Sequence, residues 1–251
     1  MRIPIVEGDR YVLLTADTMV EDEDNWRFAR EVVAALSPRW EWIVLRDGRT
    51  PMQVGRDKRI VPNDRMAICS RILKREICRR WLDHNCDPAD TMLYLGFDWT
   101  EEHRTTKAKP LWAPFEIACP LMDEPLLDKE QILGKFRSLG IEPPQLYAEG
   151  FSHANCGGAC VRGGQASWAL LLKRRPALYA EWEAEEEKTR QFLGKDVSIL
   201  ADRRKLPTES FDKDDWGACG CFDEAVEAVP VKLKRRPLTL RQFREEIEAG
   251  R

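Results

Sequence analysis

The stretch Gly150-Phe151-Ser152-His153-Ala154-Asn155-Cys156-Gly157-Gly158-Ala159-Cys160 sets two thiols in a glycine-rich turn, and a third thiol, Cys69, opens the distant basic segment Cys69-Ser70-Arg71-Ile72-Leu73-Lys74. Thiolates are nucleophiles, redox couples and soft metal ligands, and glycine lets backbone N–H groups come close to sulfur. This grouping implies a folded sulfur site that binds metal or performs redox chemistry. Cys69, Cys156 and Cys160 supply three thiols, and Cys219 or Cys221 of Cys219-Gly220-Cys221 can supply a fourth. His153, three residues before Cys156, leaves a structural zinc site open as the rival to a cluster or to metal-free thiols.

For these residues to meet, the chain must fold around them. Its 251 residues, 33% charged and 43% hydrophobic, suit a globular protein with a sizeable core. A net charge of -3 excludes a protein held to nucleic acid mainly by charge, so nucleic acid is not indicated. There is no apolar run of the roughly 20 residues needed to cross a bilayer, and Ile3 to Val6 is too short for a signal core. The expectation is a cytoplasmic protein with no membrane segment. In a reducing compartment its eight cysteines do not read as a disulfide framework. Cys78, Cys86 and Cys119 read as packing thiols.

Apolar runs at Tyr11 to Ala16, Trp42 to Leu45, Met92 to Gly96 and Phe115 to Ala118 read as strands. Helical spacing follows the first from Trp26 to Leu36, and Met66 to His84 reads as one long basic helix. Asp128 can cap a helix to Leu139, and Ala166 to Lys173, Pro176 to Leu193 and Thr239 to Ala249 read as three more. The acidic run Glu181 to Glu187 reads as a solvated face. Strands alternating with helices predict an α/β fold with a doubly wound, mostly parallel sheet over residues 1–164, followed by a helical, cysteine-bearing part over 165–251. Arg162-Gly163-Gly164-Gln165-Ala166-Ser167 faintly imitates a phosphate loop, although a glycine turn packed near the cysteines accounts for it better.

In order and spacing these motifs resemble the phosphoadenosine phosphosulfate (PAPS) reductase-like branch of the PP-loop ATP pyrophosphatase superfamily. The residues that carry the likeness are Asp17-Thr18 with the acidic Glu21 to Asp24, Cys69 with Lys74, Gly96 with His103-Arg104, and Gly150-Phe151-Ser152 with Cys156 and Cys160. The resemblance implies an adenine nucleotide-binding fold of the adenine nucleotide alpha hydrolase type. Asp17, Thr18, Lys74, Gly96, His103 and Arg104 would then line the site for ATP or a PAPS-type nucleotide, with Lys74 and Arg104 holding anions. It also implies catalytic thiols at Cys156 and Cys160, and a [4Fe-4S] cluster on Cys69, Cys156, Cys160 and Cys221.

Family members open with a strand leading into Ser-Gly-Gly-x-Asp-Ser, whose N–H groups cradle phosphates. Met1 to Arg10 contain no such motif. The resemblance therefore implies a central strand that these residues do not supply, with unpaired edges and apolar surface on its two neighbours. A partner protein or an N-terminal segment completing the sheet is the expectation that follows.

Overall fold

The computed structural model describes residues 3–202 and 236–250, a mixed α/β protein in which helices outweigh strands. β1 (Tyr11–Asp17) passes through α1 (Glu23–Leu36) to β2 (Trp40–Arg46), as the apolar pattern predicts. α2 (Pro51–Asp57) is invisible to that pattern, but its start is encoded locally. Thr50 Oγ1 accepts from Gln53 N, the Gln53 side chain accepts from Thr50 N, and Pro51 fits the first turn.

The basic segment expected as one helix winds in three ways: α3 (Ile68–Ser70), a π-helical stretch (Arg71–Glu76) and α4 (Ile77–Asn85). β3 (Met92–Tyr94), α5 (Glu102–Trp112) and β4 (Glu116–Ala118) follow. α6 (Lys129–Ser138) starts at the expected Asp128 cap, which accepts from Gln131 N at 2.8 Å. The remaining elements are α7 (Gln145–Ala148), α8 (Gln165–Arg174), α9 (Pro176–Leu193), β5 (Leu200–Ala201), β6 (Pro237–Leu238) and α10 (Leu240–Glu248).

The strands pair two by two, as β1–β2, β3–β4 and β5–β6. β3 and β4 are parallel, with Leu93 opposite Ile117, and α5 is the crossover between them. β5 and β6 are antiparallel, and Asp202 N donates to Arg236 O at 2.9 Å beyond them.

Two compact units are threaded more than once by the chain: Met1–Ala16, Arg27–Leu45 and Arg75–Pro143 form the first; Asp17–Trp26, Arg46–Lys74 and Pro144–Arg251 form the second. The principal apolar cluster belongs wholly to the second, where Val54, Leu73, Leu146, Leu171, Tyr179 and Ile199 are sealed from solvent. Trp168 meets Tyr179 and Trp182 edge-on, with ring centroids 5.9 and 5.8 Å away.

Glu186 corrects the reading of the acidic run as a wholly solvated face, because only 1% of it is exposed. Its Oε1 accepts from Ile199 N and its Oε2 from Leu240 N, both at 2.7 Å, so the carboxylate sits at the start of α10 where unpaired N–H groups need an acceptor. Burial pushes its carboxyl up to about 7, against the pull of those two donors. Arg175 grips Glu149 at 2.8 Å and also pairs with Asp22.

The first unit is less covered. Phe97, Ala108, Trp112, Phe115 and Leu133 are among its buried residues. Yet α1 buries no residue, β2 buries none, and Met92 and Tyr94 of β3 stay exposed. β1 and β3 each keep one edge outside the strand pairs of the described residues.

Candidate functional site

Within the second unit, Cys69, Cys156 and Cys160 converge on one cavity together with Thr18, Ser70 and Lys74, and Trp182 forms part of its wall. Its volume is about 10 Å³, room for about one water. Three segments position the thiols. The first is α3, which carries Cys69, with the π-helical stretch after it, which carries Lys74; both residues line the cavity.

The second segment is the cysteine turn itself. Cys156 (φ 53°, ψ 34°) and Gly157 (φ 62°, ψ 19°) are both left-handed, and Gly158 follows at φ 91°. A left-handed cysteine costs about 1–2 kcal/mol, so the surroundings must hold it. At Gly158 a Cβ would lie 2.8 Å from the Phe151 ring, so any larger residue displaces that ring. Gly163 N donates to Cys160 O at 2.8 Å, and a Cβ on Gly163 would sit 2.9 Å from that same oxygen. Gly163 thus packs against the cysteine turn, and Gly164 caps α8 with no side-chain hydrogen bond.

The third segment follows β1 and brings Glu21. Glu21 Oε2 accepts from Cys156 N at 2.8 Å, Oε1 accepts from the Thr18 hydroxyl at 3.1 Å, and Lys74 Nζ lies 3.5 Å from Oε1. Glu21 therefore joins the cysteine turn, the end of β1 and the cation. Residue-type reasoning places it only in an acidic helix start. The readable signal is its position three residues after Thr18, within reach of that hydroxyl.

The electrostatics separate the two turn thiols. A side-chain hydrogen bond to Cys160 and then burial push the Cys156 thiol well above the ordinary cysteine range; Glu21 adds to this and Lys74 opposes it. In such a pair the first proton lost leaves the other thiol as donor to the new charge. Cys156 is held as that donor.

The other expected site residues fall elsewhere. Asp17 is buried, but its Oδ2 accepts from Arg46 Nε at 2.8 Å and its Oδ1 from Met19 N at 2.7 Å, which serves the turn after β1. Gly96, His103 and Arg104 belong to the first unit. Arg104 is buried, paired with Glu101 and stacked 4.3 Å from the Phe97 ring centroid, while His103 is exposed at the start of α5. Nothing lies within 4 Å of a Cβ built on Gly96. Cys221 lies outside the described residues.

Cys78, Cys86 and Cys119 are partly buried thiols outside any disulfide, and burial pushes the latter two up. His153 is not among the cavity's lining residues. Thiolate is the donor type an iron–sulfur cluster takes, and Cys69, Cys156 and Cys160 are the residues that would hold one. Among the described residues no three His, Cys, Asp or Glu side chains stand at metal-holding spacing.

No helix among the described residues is long and apolar enough to cross a membrane. Compared with known proteins, the chain matches no family model, no curated protein and no solved structure.

Proposed function

We propose that this chain is a PAPS reductase-like protein that binds an adenine nucleotide and performs sulfur chemistry with the thiols of Cys69, Cys156 and Cys160. The observation that carries the proposal is the convergence of these three thiols, from distant parts of the sequence, with Lys74 on one cavity. Lys74 supplies the cation for a sulfate or phosphate group and exchanges Glu21 for it. A cavity thiolate attacks the sulfur of an adenylyl sulfate, the sulfur–oxygen bond breaks, and the adenosine phosphate leaves with the bonding electron pair. A second thiol then attacks the S-sulfocysteine sulfur, forming a disulfide and releasing sulfite.

The test is sulfite release from adenosine 3′-phosphate 5′-phosphosulfate in the presence of a dithiol, with Cys156→Ser, Cys160→Ser and Lys74→Ala compared. Sulfite at the no-protein rate overturns the reading. Iron and acid-labile sulfide in stoichiometric amounts after anaerobic purification would instead favour the [4Fe-4S] cluster, with Cys221 as its fourth ligand, over thiols alone.

A second reading concerns partners, and the open edges that the β1–β2 and β3–β4 pairs leave favour it. An extended, apolar strand of a partner polypeptide pairs between β1 and β3 and completes a doubly wound sheet. Hydrogen exchange tests this directly. Protection of β1 and β3 amides in the isolated chain equal to that of α9 sinks the second reading.

A further inference from the structure

Cys156 and Cys160 have a property that needs no nucleotide. Both are buried, both face the same cavity, and their thiols share a hydrogen bond, so the two sulfurs are already neighbours. The turn between them is held at Cys156 by Glu21 and closed by Ala159 N donating to Cys156 O at 2.9 Å. Cys69 lines the same cavity from a different element, α3. Among the described cysteines the remaining thiols, Cys78, Cys86 and Cys119, sit in the first unit.

We infer that Cys156 and Cys160 form a dithiol–disulfide couple, a redox modification site in exchange with small-molecule disulfides of the glutathione class. The balance is complete. The Cys160 thiolate attacks one sulfur of the small disulfide, breaking its sulfur–sulfur bond and releasing one small thiolate. Cys156 then loses its proton and attacks Cys160 of the mixed disulfide, releasing the second. The protein's two thiols are oxidised, the small disulfide is reduced to two thiols, and the two protons pass to those products. Burial makes the exchange slow, because the cavity mouth must open for the first attack, so the equilibrium rather than the rate defines the couple.

Oxidation changes what the site can do. In the reduced state the Cys156 S–H donates to its neighbour; in the oxidised state that donor and both nucleophiles are gone, leaving Cys69 as the cavity's thiol. Thiol attack from the turn therefore stops on oxidation.

The experiment uses the full reduced chain, equilibrated with mixtures of oxidised and reduced glutathione, acid-quenched, alkylated and mapped by mass spectrometry. Cys156 and Cys160 lie in the same tryptic peptide, Ser138 to Arg162. The expected result is that this peptide loses two alkylatable thiols and two hydrogens together, and that dithiothreitol restores both. A stable glutathione adduct on either cysteine, or a bond from either one to Cys69, Cys219 or Cys221, overturns the couple. A chain that forms the internal disulfide yet releases no sulfite from the adenylyl sulfate keeps the couple and removes the reductase reading. Sulfite release with the two cysteines never joined does the reverse.

Discussion

The second unit gathers the principal apolar cluster, whereas in the first α1 and β2 bury no residue, although both are made of similar elements. In the second, three aromatic rings, a buried carboxylate and both ends of the β5–β6 pair lock α8, α9 and α10 together. In the first, α1 has the apolar spacing of a buried helix and buries no residue. Amphipathic pattern states which face seeks cover, but it does not supply the cover.

The sharpest way to break this contrast is to remove equivalent apolar groups from each side. Trp168→Ala should cost about 3–5 kcal/mol in denaturant unfolding, since Trp168 is sealed among Tyr179 and Trp182. An equal cost for Val33→Ala on α1 would erase the distinction between the units.

Acid–base behaviour is the next largest effect. The Glu186 carboxyl is raised to about 7 in the folded protein, above the ordinary carboxylate range, so the native state binds the proton more tightly than the unfolded chain. Its contribution to stability is full below the unfolded value and is lost as pH rises to about 7, a change on the order of 3 kcal/mol at 1.36 kcal/mol per unit. Arg190 pulls this value down and Glu183 pushes it up. Glu186→Gln should flatten the fall in unfolding free energy measured between about pH 4.5 and 7; an unchanged slope would show that the carboxylate is not responsible.

A smaller effect is expected at the cysteine turn. Gly158→Ala should destabilise by about 2 kcal/mol through the left-handed backbone and the displaced Phe151 ring, and should speed alkylation of Cys156. Unchanged melting and alkylation would mean that the turn tolerates a side chain there. The smallest effect, under about 1 kcal/mol, belongs to Val33→Ala itself, and supplying a sheet-completing partner should enlarge it.

These contrasts also mark how far the residues could be read in advance. β1, α1, α6, α9 and α10 were legible because apolar period and caps such as Asp128 and Thr239 are local signals. The convergence of Cys69 with Cys156 and Cys160 was legible only through motif order, since nothing local joins those segments. Glu21 was obscured because an acidic residue in an acidic run looks solvated until the fold brings Cys156 N to it. Glu186 was misread for the same reason, because its donors, Ile199 N and Leu240 N, stand 13 and 54 residues further along the sequence. The π winding at Arg71–Glu76 was not legible, because the apolar spacing of residues 66–84 reads as one continuous helix.

The β5–β6 pair makes residues 202 and 236 neighbours, tied by Asp202 N to Arg236 O. The free energy of joining two such neighbouring ends varies only slowly with the number of residues between them. A tight reverse turn from residue 202 to residue 236 would leave α9 and α10 clasped by Glu186, so the join between these two ends is where chain length can change without unmaking the second unit's apolar cluster.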